Sequence, residues 1–160
     1  MPRSEAAQLV ETLRSRGLRM SAAESCTGGM LGAEITSIPG ASDVFLGSAV
    51  TYSNGSKTSV LGVKESTLTA HGAVSTETAR EMARGSVKAY GSDVAVSITG
   101  IAGPGGGTAE KPVGTVCMAV SDGEREVATK FAFEGDREAV RDQSVREACR
   151  LLVDFIGGRL

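Results

Sequence analysis

Apolar positions along the chain recur with two different periods, one typical of helices and the other of strands. Spacings of three and four residues predict a helix over 75–90, with Ser75 as its N-cap candidate and Gly91 as its end. His71 is expected to close a shorter helix, and Asp136 is the N-cap candidate of the final one. The same periodicity predicts the remaining helices or short helical pieces over 4–16, 30–38, 57–61, 65–70 and 136–156.

Short apolar runs between the helical segments predict strands. They lie over 18–23, 44–52, 93–99, 113–120 and 125–133, and the last two are joined by the hairpin sequence Ser121-Asp122-Gly123-Glu124. Strands interleaved with helices predict an α/β sandwich with a largely parallel sheet, to which the hairpin adds an antiparallel strand. Because the sequence shows no internal repeat and no linker, we expect a single domain over 1–160.

The composition is that of an ordinary globular domain, with 41% hydrophobic residues, 22% charged residues and a formal net charge of −2. Without a basic excess, no nucleic-acid partner is expected. The longest uncharged stretch, Val94 to Ala109, contains five glycines and Pro104, and is too short and interrupted to cross a membrane. The N-terminus lacks the apolar segment of a secretory signal. We therefore expect no membrane association.

Cysteine and histidine usage narrows the chemistry. The three cysteines, Cys26, Cys117 and Cys149, are an odd number without Cys-x-x-Cys spacing, which argues against disulfides and thiolate zinc sites and favours the reducing cytoplasm. His71 is the only histidine, so a multi-histidine metal site is excluded. We expect no metal and no cofactor, and chemistry that runs on hydroxyls, a lysine, backbone amides or carboxylates.

Three polar segments follow predicted strands and are expected to meet at one edge of the sheet, where open α/β sheets bind ligands. They are 24–29, 51–57 and the glycine-rich 99–107. Gly28 and Gly29 at a helix start leave backbone N–H groups open to an anion. The segment 99–107 suits a phosphate or a flat ring, or else it is a mobile surface connection.

In the middle segment, Lys57 is the residue best suited to acid–base chemistry. A lysine beside strand-end hydroxyls acts as a general base if burial or nearby positive charge lowers its pKa, and it then activates a serine for attack on a carbonyl carbon. Two simpler interpretations remain open. In the first, Lys57 is a solvated charge on a helical turn. In the second, Ser25 is a helix-capping residue.

Several blocks of sequence, in this order along the chain, resemble the CinA C-terminal domain family. They are Ala23-Glu24-Ser25-Cys26-Thr27-Gly28-Gly29, Val50-Thr51-Tyr52-Ser53-Asn54, His71-Gly72-Ala73-Val74-Ser75, Ser97-Ile98-Thr99-Gly100-Ile101-Ala102-Gly103-Pro104, Lys111-Pro112-Val113-Gly114-Thr115-Val116 and Gly135-Asp136-Arg137. The resemblance covers nearly the whole chain. It implies a three-layer α/β/α sandwich with a mixed, mostly parallel sheet, found as homodimers or larger homo-oligomers.

The resemblance also implies an activity. Family members are nicotinamide-nucleotide amidohydrolases, which convert nicotinamide mononucleotide and water to nicotinate mononucleotide and ammonia in pyridine-nucleotide salvage. The resemblance makes Ser25 the nucleophile and Lys57 the base, while Tyr52 orients the pair or relays the proton. The amides of Gly28 and Gly29 stabilise the oxyanion or hold phosphate, and Arg137 is the phosphate ligand. The other expected substrate-binding residues are Thr27, Asn54, Thr99, Gly100, Ala102 and Gly103.

Two functions from other classes compete with this hypothesis. A non-catalytic nucleotide-binding module would keep the glycine-rich loops and Arg137 but would use Ser25 only as a cap. A competence- or DNA-damage-associated factor, as the historical family name suggests, lacks a basic patch and a set of stacking aromatic residues in this sequence.

Overall fold

The computed structural model of the chain describes residues 4–160, which form six α-helices and a five-stranded sheet. The helices are α1 (Glu5–Arg16), α2 (Met30–Thr36), α3 (Asn54–Leu61), α4 (Glu65–His71), α5 (Thr76–Tyr90) and α6 (Arg137–Ile156). The strands are β1 (Met20–Glu24), β2 (Phe45–Val50), β3 (Val94–Gly100), β4 (Thr115–Ser121) and β5 (Glu126–Ala132). One 3₁₀ turn, Ala41–Asp43, precedes β2.

The strand order across the sheet is β2-β1-β3-β4-β5. β1 pairs in parallel with β2 and β3, whereas β4 pairs antiparallel with both β3 and β5. Four strands therefore run in one direction and β4 alone runs in the other. This confirms the predicted mixed sheet, in which the late hairpin supplies the reversed strand and two of the four strand pairings are parallel.

Helices cover both faces of the sheet. α1, α2 and α6 pack together on one face, where Leu9, Ile35 and Leu152 lie in the main core with Val96 and Ile98 of β3. α5 packs on the other face against β1, β3 and β4 and contacts α3 and α4, and Leu61 of α3 shares a core cluster with Ala23 of β1 and Ala49 of β2. The arrangement confirms the expected three-layer α/β/α sandwich. None of the helices between residues 4 and 160 has the length and apolar composition needed to span a bilayer.

Local sequence signals explain where most helices begin and end. The hydroxyl of Ser75 and the carboxylate of Asp136 accept main-chain N–H groups at the starts of α5 and α6, and His71 ends α4, as predicted. α3 differs, because it starts at Asn54 instead of 57. The reason is that Ser53 caps it by accepting the N–H of Ser56, a signal the apolar spacing does not contain.

A glycine of α5 sets the position of α3. A Cβ atom added to Gly85 would overlap the carbonyl oxygen of Leu61 and would lie 2.8 Å from its carbonyl carbon. The two helices can therefore approach this closely only because residue 85 has no side chain. This contact therefore helps to position α3, the helix that carries Lys57.

Replacing Gly85 with alanine is expected to lower the free energy of unfolding by about 1–3 kcal/mol, because the new methyl group overpacks the α3–α5 contact. Urea denaturation monitored by circular dichroism measures this change. The matched control is Gly55→Ala in α3, where a Cβ atom would meet nothing within 4 Å. Helix propensity predicts that this control gains about 0.5–1 kcal/mol. Equal stability of the two variants would contradict the proposed steric role.

Candidate active site

The carboxyl ends of β2, β1 and β3 lie level with one another at one edge of the sheet. In the strand register, Glu24 of β1 is opposite Val50 of β2 and Ile98 of β3. The loops that follow these strands surround a cavity of about 210 Å³. The residues that line it are Ser25, Cys26, Tyr52, Asn54, Lys57, Ala73, Val74, Thr99, Gly100, Ala102 and Arg137. The three polar segments singled out in the sequence therefore meet, as predicted.

Ser25 and Lys57 are in direct contact in this cavity. The Nζ atom of Lys57 donates to Ser25 Oγ at 3.0 Å and to the carbonyl oxygens of Thr51 at 2.9 Å and Tyr52 at 3.0 Å. The lysine is only 1% exposed and the serine 7%. This excludes the interpretation of Lys57 as a solvated surface charge. Ser25 does not cap α2 either, because the residue before that helix is Gly29, which makes no side-chain cap.

Burial determines the protonation chemistry of the cavity. It lowers the pKa of the Lys57 ammonium below its ordinary value of 10.5, because the charged form loses its hydration. Burial raises the pKa of the neighbouring Cys26 thiol to about 11, so this cysteine stays protonated at neutral pH. The cavity therefore combines an amine that loses its proton more readily than an exposed lysine with a thiol that keeps its own.

A buried carboxylate fixes the turn after β1. Glu24 is 0% exposed, and its side chain accepts four hydrogen bonds. Oε1 accepts from the Thr27 hydroxyl at 2.7 Å and the Leu31 N–H at 2.8 Å, and Oε2 accepts from the Gly32 N–H at 3.1 Å and the Ser48 hydroxyl at 2.6 Å. All of these donors are neutral, and the N–H groups belong to the first turns of α2. Glu24 thereby ties β1, β2 and α2 together directly beside Ser25.

Tyr52 contributes to the dyad through its main chain. Its carbonyl oxygen accepts from Lys57, whereas its side chain is 61% exposed and its hydroxyl accepts from Arg137 Nη2 at 3.3 Å. The hydroxyl is therefore directed towards Arg137, and its hydrogen bond in the structure does not involve Ser25 or Lys57. The expected proton relay through this phenol receives no support from the geometry, since the phenol belongs to the outer wall of the cavity.

The segment after β3 forms the opposite wall. Thr99 Oγ1 donates to the carbonyl oxygen of Ala73 at 2.8 Å, which joins this wall to the segment between α4 and α5. A Cβ atom on Gly100 would lie 2.7 Å from the side chain of Val116, so a larger residue would force β3 or Val116 to shift. Ala102 is buried and lines the cavity, and the carbonyl oxygen of Gly103 accepts from Arg137 Nη1 at 2.8 Å. Asn54, at the start of α3, completes the lining beside Lys57.

Three predicted binding residues lie in the turn itself and are absent from the cavity lining. The Thr27 hydroxyl is used by Glu24, and the N–H of Gly28 donates to the carbonyl oxygen of Ser25 at 3.1 Å. The Gly28 amide is therefore already engaged, which corrects its assignment as an oxyanion or phosphate donor. Gly29 has a φ of 101° at the start of α2, a conformation that favours glycine. These residues shape the turn that presents Ser25.

Sequence reasoning missed several residues that the structure brings to the site. Cys26, Ala73 and Val74 line the cavity. Glu24 binds the turn that carries Ser25, and Arg141 of α6 donates to a carbonyl of the same turn. One available signal was the acidic Glu24 at the end of an otherwise uncharged strand. Another was the spacing of Arg141, one helical turn after Arg137, although the alternation of charges on α6 favoured a solvated face.

A second, larger cavity adjoins the first. It has a volume of about 650 Å³ and shares Ala102 and Arg137 with the smaller one. Its further lining residues are Met30, Pro104, Val113, Gly135, Asp136, Glu138 and Arg141. Arg137 stands where the two cavities meet, so the site has an inner compartment around Ser25 and Lys57 and an outer one beside α6. Over residues 4–160, no cluster of three or more His, Cys, Asp or Glu side chains is placed to hold a metal ion.

Comparison with known proteins shows a match along almost the whole chain. The sequence profile of the CinA C-terminal domain matches residues 3–156. A CinA-like protein from Thermotoga sp. (strain RQ2) is 47% identical over 151 residues, which is 94% of this chain and 37% of that relative. The chain spans between 34% and 37% of the length of this and two further CinA-like relatives, from Chloroherpeton thalassium and Syntrophobacter fumaroxidans.

Solved structures agree with the sequence matches. A competence-damaged protein (CinA) superfamily protein from Klebsiella pneumoniae superposes with a TM-score of 0.93 at 36% identity, covering 96% of both chains. The competence/damage inducible protein CihA from Agrobacterium tumefaciens superposes with a TM-score of 0.92 at 38% identity, covering 98% of this chain and 99% of that one. The three-layer sandwich is therefore shared with both proteins.

The substitution Glu24→Gln is expected to lower the free energy of unfolding by about 3 kcal/mol. The hydroxyls of Thr27 and Ser48 can rotate to accept from the new amide, but the N–H groups of Leu31 and Gly32 cannot. One of these N–H groups would face the amide NH₂ and would lose its partner. Urea denaturation measures the loss, with Glu34→Gln on the exposed side of α2 as the control. Equal unfolding midpoints for the two variants would contradict this account.

Proposed function

The chain belongs to the CinA C-terminal domain family, and we propose that it hydrolyses the carboxamide of nicotinamide mononucleotide to give nicotinate mononucleotide and ammonia. The observation that carries this proposal is the buried contact between Lys57 Nζ and Ser25 Oγ at 3.0 Å. A hydroxyl beside a buried amine is the arrangement of a nucleophile and its base in amide hydrolysis. The identity of the substrate rests on the family resemblance of the sequence blocks described above.

The proposed reaction has two halves. Ser25 Oγ attacks the carboxamide carbon while the neutral Lys57 amine accepts the hydroxyl proton. The tetrahedral intermediate breaks its C–N bond, and the proton held by Lys57 passes to the leaving nitrogen, which departs as ammonia. Lys57 then accepts a proton from one water molecule as its oxygen attacks the acyl ester on Ser25. That proton returns to Ser25 Oγ, and the acid product leaves.

The partners of Lys57 suit both of its protonation states. The ammonium form has three N–H donors, which match the three oxygen acceptors around Nζ. In the neutral form, two N–H groups remain for the carbonyl oxygens of Thr51 and Tyr52, which can only accept. The lone pair is then left for Ser25, whose hydroxyl can donate. The two carbonyls therefore direct the basic position of the amine towards the nucleophile.

The two compartments suggest how the substrate is held. The inner cavity of about 210 Å³ is proposed to take the carboxamide and its ring, with the remainder of the nucleotide extending past Arg137. The forked guanidinium of Arg137 suits phosphate oxygens. The main-chain N–H of Cys26, directly after the nucleophile in a residue that lines the cavity, is our candidate for stabilising the oxyanion.

The remaining parts of the proposal follow the sequence-based expectations. The ligand is a small nucleotide, the compartment is the cytoplasm, and the assembly is a homodimer or larger homo-oligomer. The mechanism as written draws its nucleophile and its base from Ser25 and Lys57, and requires no metal or organic cofactor. The physiological role is pyridine-nucleotide salvage.

Ser25→Ala and Lys57→Met are each expected to reduce ammonia release from nicotinamide mononucleotide by at least about a thousandfold. Ser25→Ala removes the nucleophile, and Lys57→Met keeps the volume of the side chain while removing the base. An enzyme-coupled ammonia assay measures the rates. Lys64→Met changes an exposed lysine and should retain wild-type turnover. Full activity of either site variant, or nucleotide binding without turnover by the wild-type protein, would overturn the proposal.

The rate of hydrolysis is expected to rise with pH, because only the neutral form of Lys57 can accept the serine proton. Burial lowers the pKa of this ammonium below 10.5, so the rise in kcat/KM should be centred below that value. Rates measured from about pH 6 to about pH 10 would locate it. Cys26→Ala should not move the rise to higher pH, since any negative charge on that thiol raises the pKa of Lys57. A pH-independent rate would exclude Lys57 as the base.

A further inference from the structure

Two main-chain oxygens directly after Ser25 are bound by a side chain that is distant in the sequence. Arg141 of α6 donates from Nε to the carbonyl oxygen of Cys26 at 3.1 Å and from Nη2 to that of Thr27 at 3.2 Å. The guanidinium fork thus bridges two consecutive peptide groups. Contacts of this kind fix both the position and the orientation of a turn, because two hydrogen bonds from one planar group prevent the turn from rotating about either bond.

The turn also makes two main-chain hydrogen bonds, from the Gly28 N–H to the carbonyl oxygen of Ser25 at 3.1 Å and from the Met30 N–H to that of Thr27 at 2.9 Å. Glu24 holds the Thr27 hydroxyl from the direction of β1 and α2. Arg141 comes from α6, an element that contacts β3, β4, α1 and α2. It therefore links the peptides around the nucleophile to a helix on the other side of the turn from Lys57, which lies on α3.

We propose that Arg141 is a positioning residue for Ser25, holding the Cys26 and Thr27 carbonyls so that Oγ stays within reach of the Lys57 amine. This inference rests on the proposed function of Ser25 as the nucleophile. Arg141 touches neither Ser25 Oγ nor Lys57 in the structure. It acts through the main chain, and it also lines the outer cavity beside Arg137. The side chain that shapes the turn is thus placed beside the compartment assigned to the rest of the substrate.

Substitutions of Arg141 distinguish a positioning role from a role in general packing. Arg141→Ala removes both hydrogen bonds and is expected to lower kcat about a hundredfold, the order of effect of a small misplacement of reacting groups. Arg141→Lys can keep one bond but not the fork, so about a tenfold loss is expected. In both variants KM should change by less than about threefold, because Nε and Nη2 of Arg141 are engaged by the turn although the residue lines the outer cavity.

The experiment compares Arg141→Ala with Arg146→Ala, an exposed arginine on the same helix. Two rates are measured: ammonia release from nicotinamide mononucleotide, and labelling of Ser25 by a fluorophosphonate, followed by mass spectrometry of the intact protein. Both should fall together in Arg141→Ala and stay at the wild-type level in Arg146→Ala. Added guanidinium ion, at concentrations that leave the melting temperature unchanged, should restore part of both rates. If Arg141→Ala does not fold, Arg141→Gln replaces it under the same criteria.

Labelling of Arg141→Ala at the wild-type rate would overturn the inference. So would a loss confined to KM, or a loss that guanidinium does not relieve. Labelling of wild-type Ser25 without ammonia release would overturn the proposed function alone, and the labelling rates of the two arginine variants would still decide the role of Arg141. A wild-type protein that shows neither reaction overturns both proposals.

Discussion

The whole site depends on one amine that is buried among protein oxygens instead of water. Ionised groups leave water at high cost unless the protein replaces their hydrogen bonds, and the partners of Lys57 are a hydroxyl and two carbonyls, all neutral. Neutral partners fix the direction of the Nζ hydrogens without compensating the charge in full. The amine is therefore held in place, yet its pKa lies below that of an exposed lysine. This arrangement requires that the loops after β1 and β2 hold Ser25 Oγ and the carbonyl oxygens of Thr51 and Tyr52 around Lys57 Nζ.

Several independent features of the fold meet this requirement. The register of the sheet sets the ends of β2, β1 and β3 at one level, and Gly85 lets α3 approach α5 closely enough to seat Lys57. Glu24 binds the turn after β1 through four donors. From α6, Arg141 donates to the carbonyl oxygens of Cys26 and Thr27 in the same turn. Most of these contacts involve the main chain, so the site is held by backbone geometry more than by side-chain packing.

Local features of the chain were predictable, because their causes lie within a few residues. The helix caps at Ser75 and Asp136 and the late hairpin are of this kind, and so is the α/β order. The pairing of Ser25 with Lys57 followed from family resemblance, since residue spacing alone favoured a solvated lysine. The spacing of Arg141 from Arg137 was a signal, but its contact with the turn was not predictable from local features, because it is 115 residues from the carbonyl of Cys26 that it binds. The direction of the Tyr52 hydroxyl likewise depends on tertiary contacts.

The segments that form the site come from widely separated parts of the chain, so the site can form only late in folding. Ser25, Lys57, Thr99 and Arg141 follow or lie on different elements, and β1 has to pair with both β2 and β3 before their loops meet. Non-local pairings of this kind close large loops and form late. The dyad is accordingly a property of the completed sheet. A partly folded chain, even one with native helices, would hold a solvated lysine of ordinary basicity and an unreactive serine.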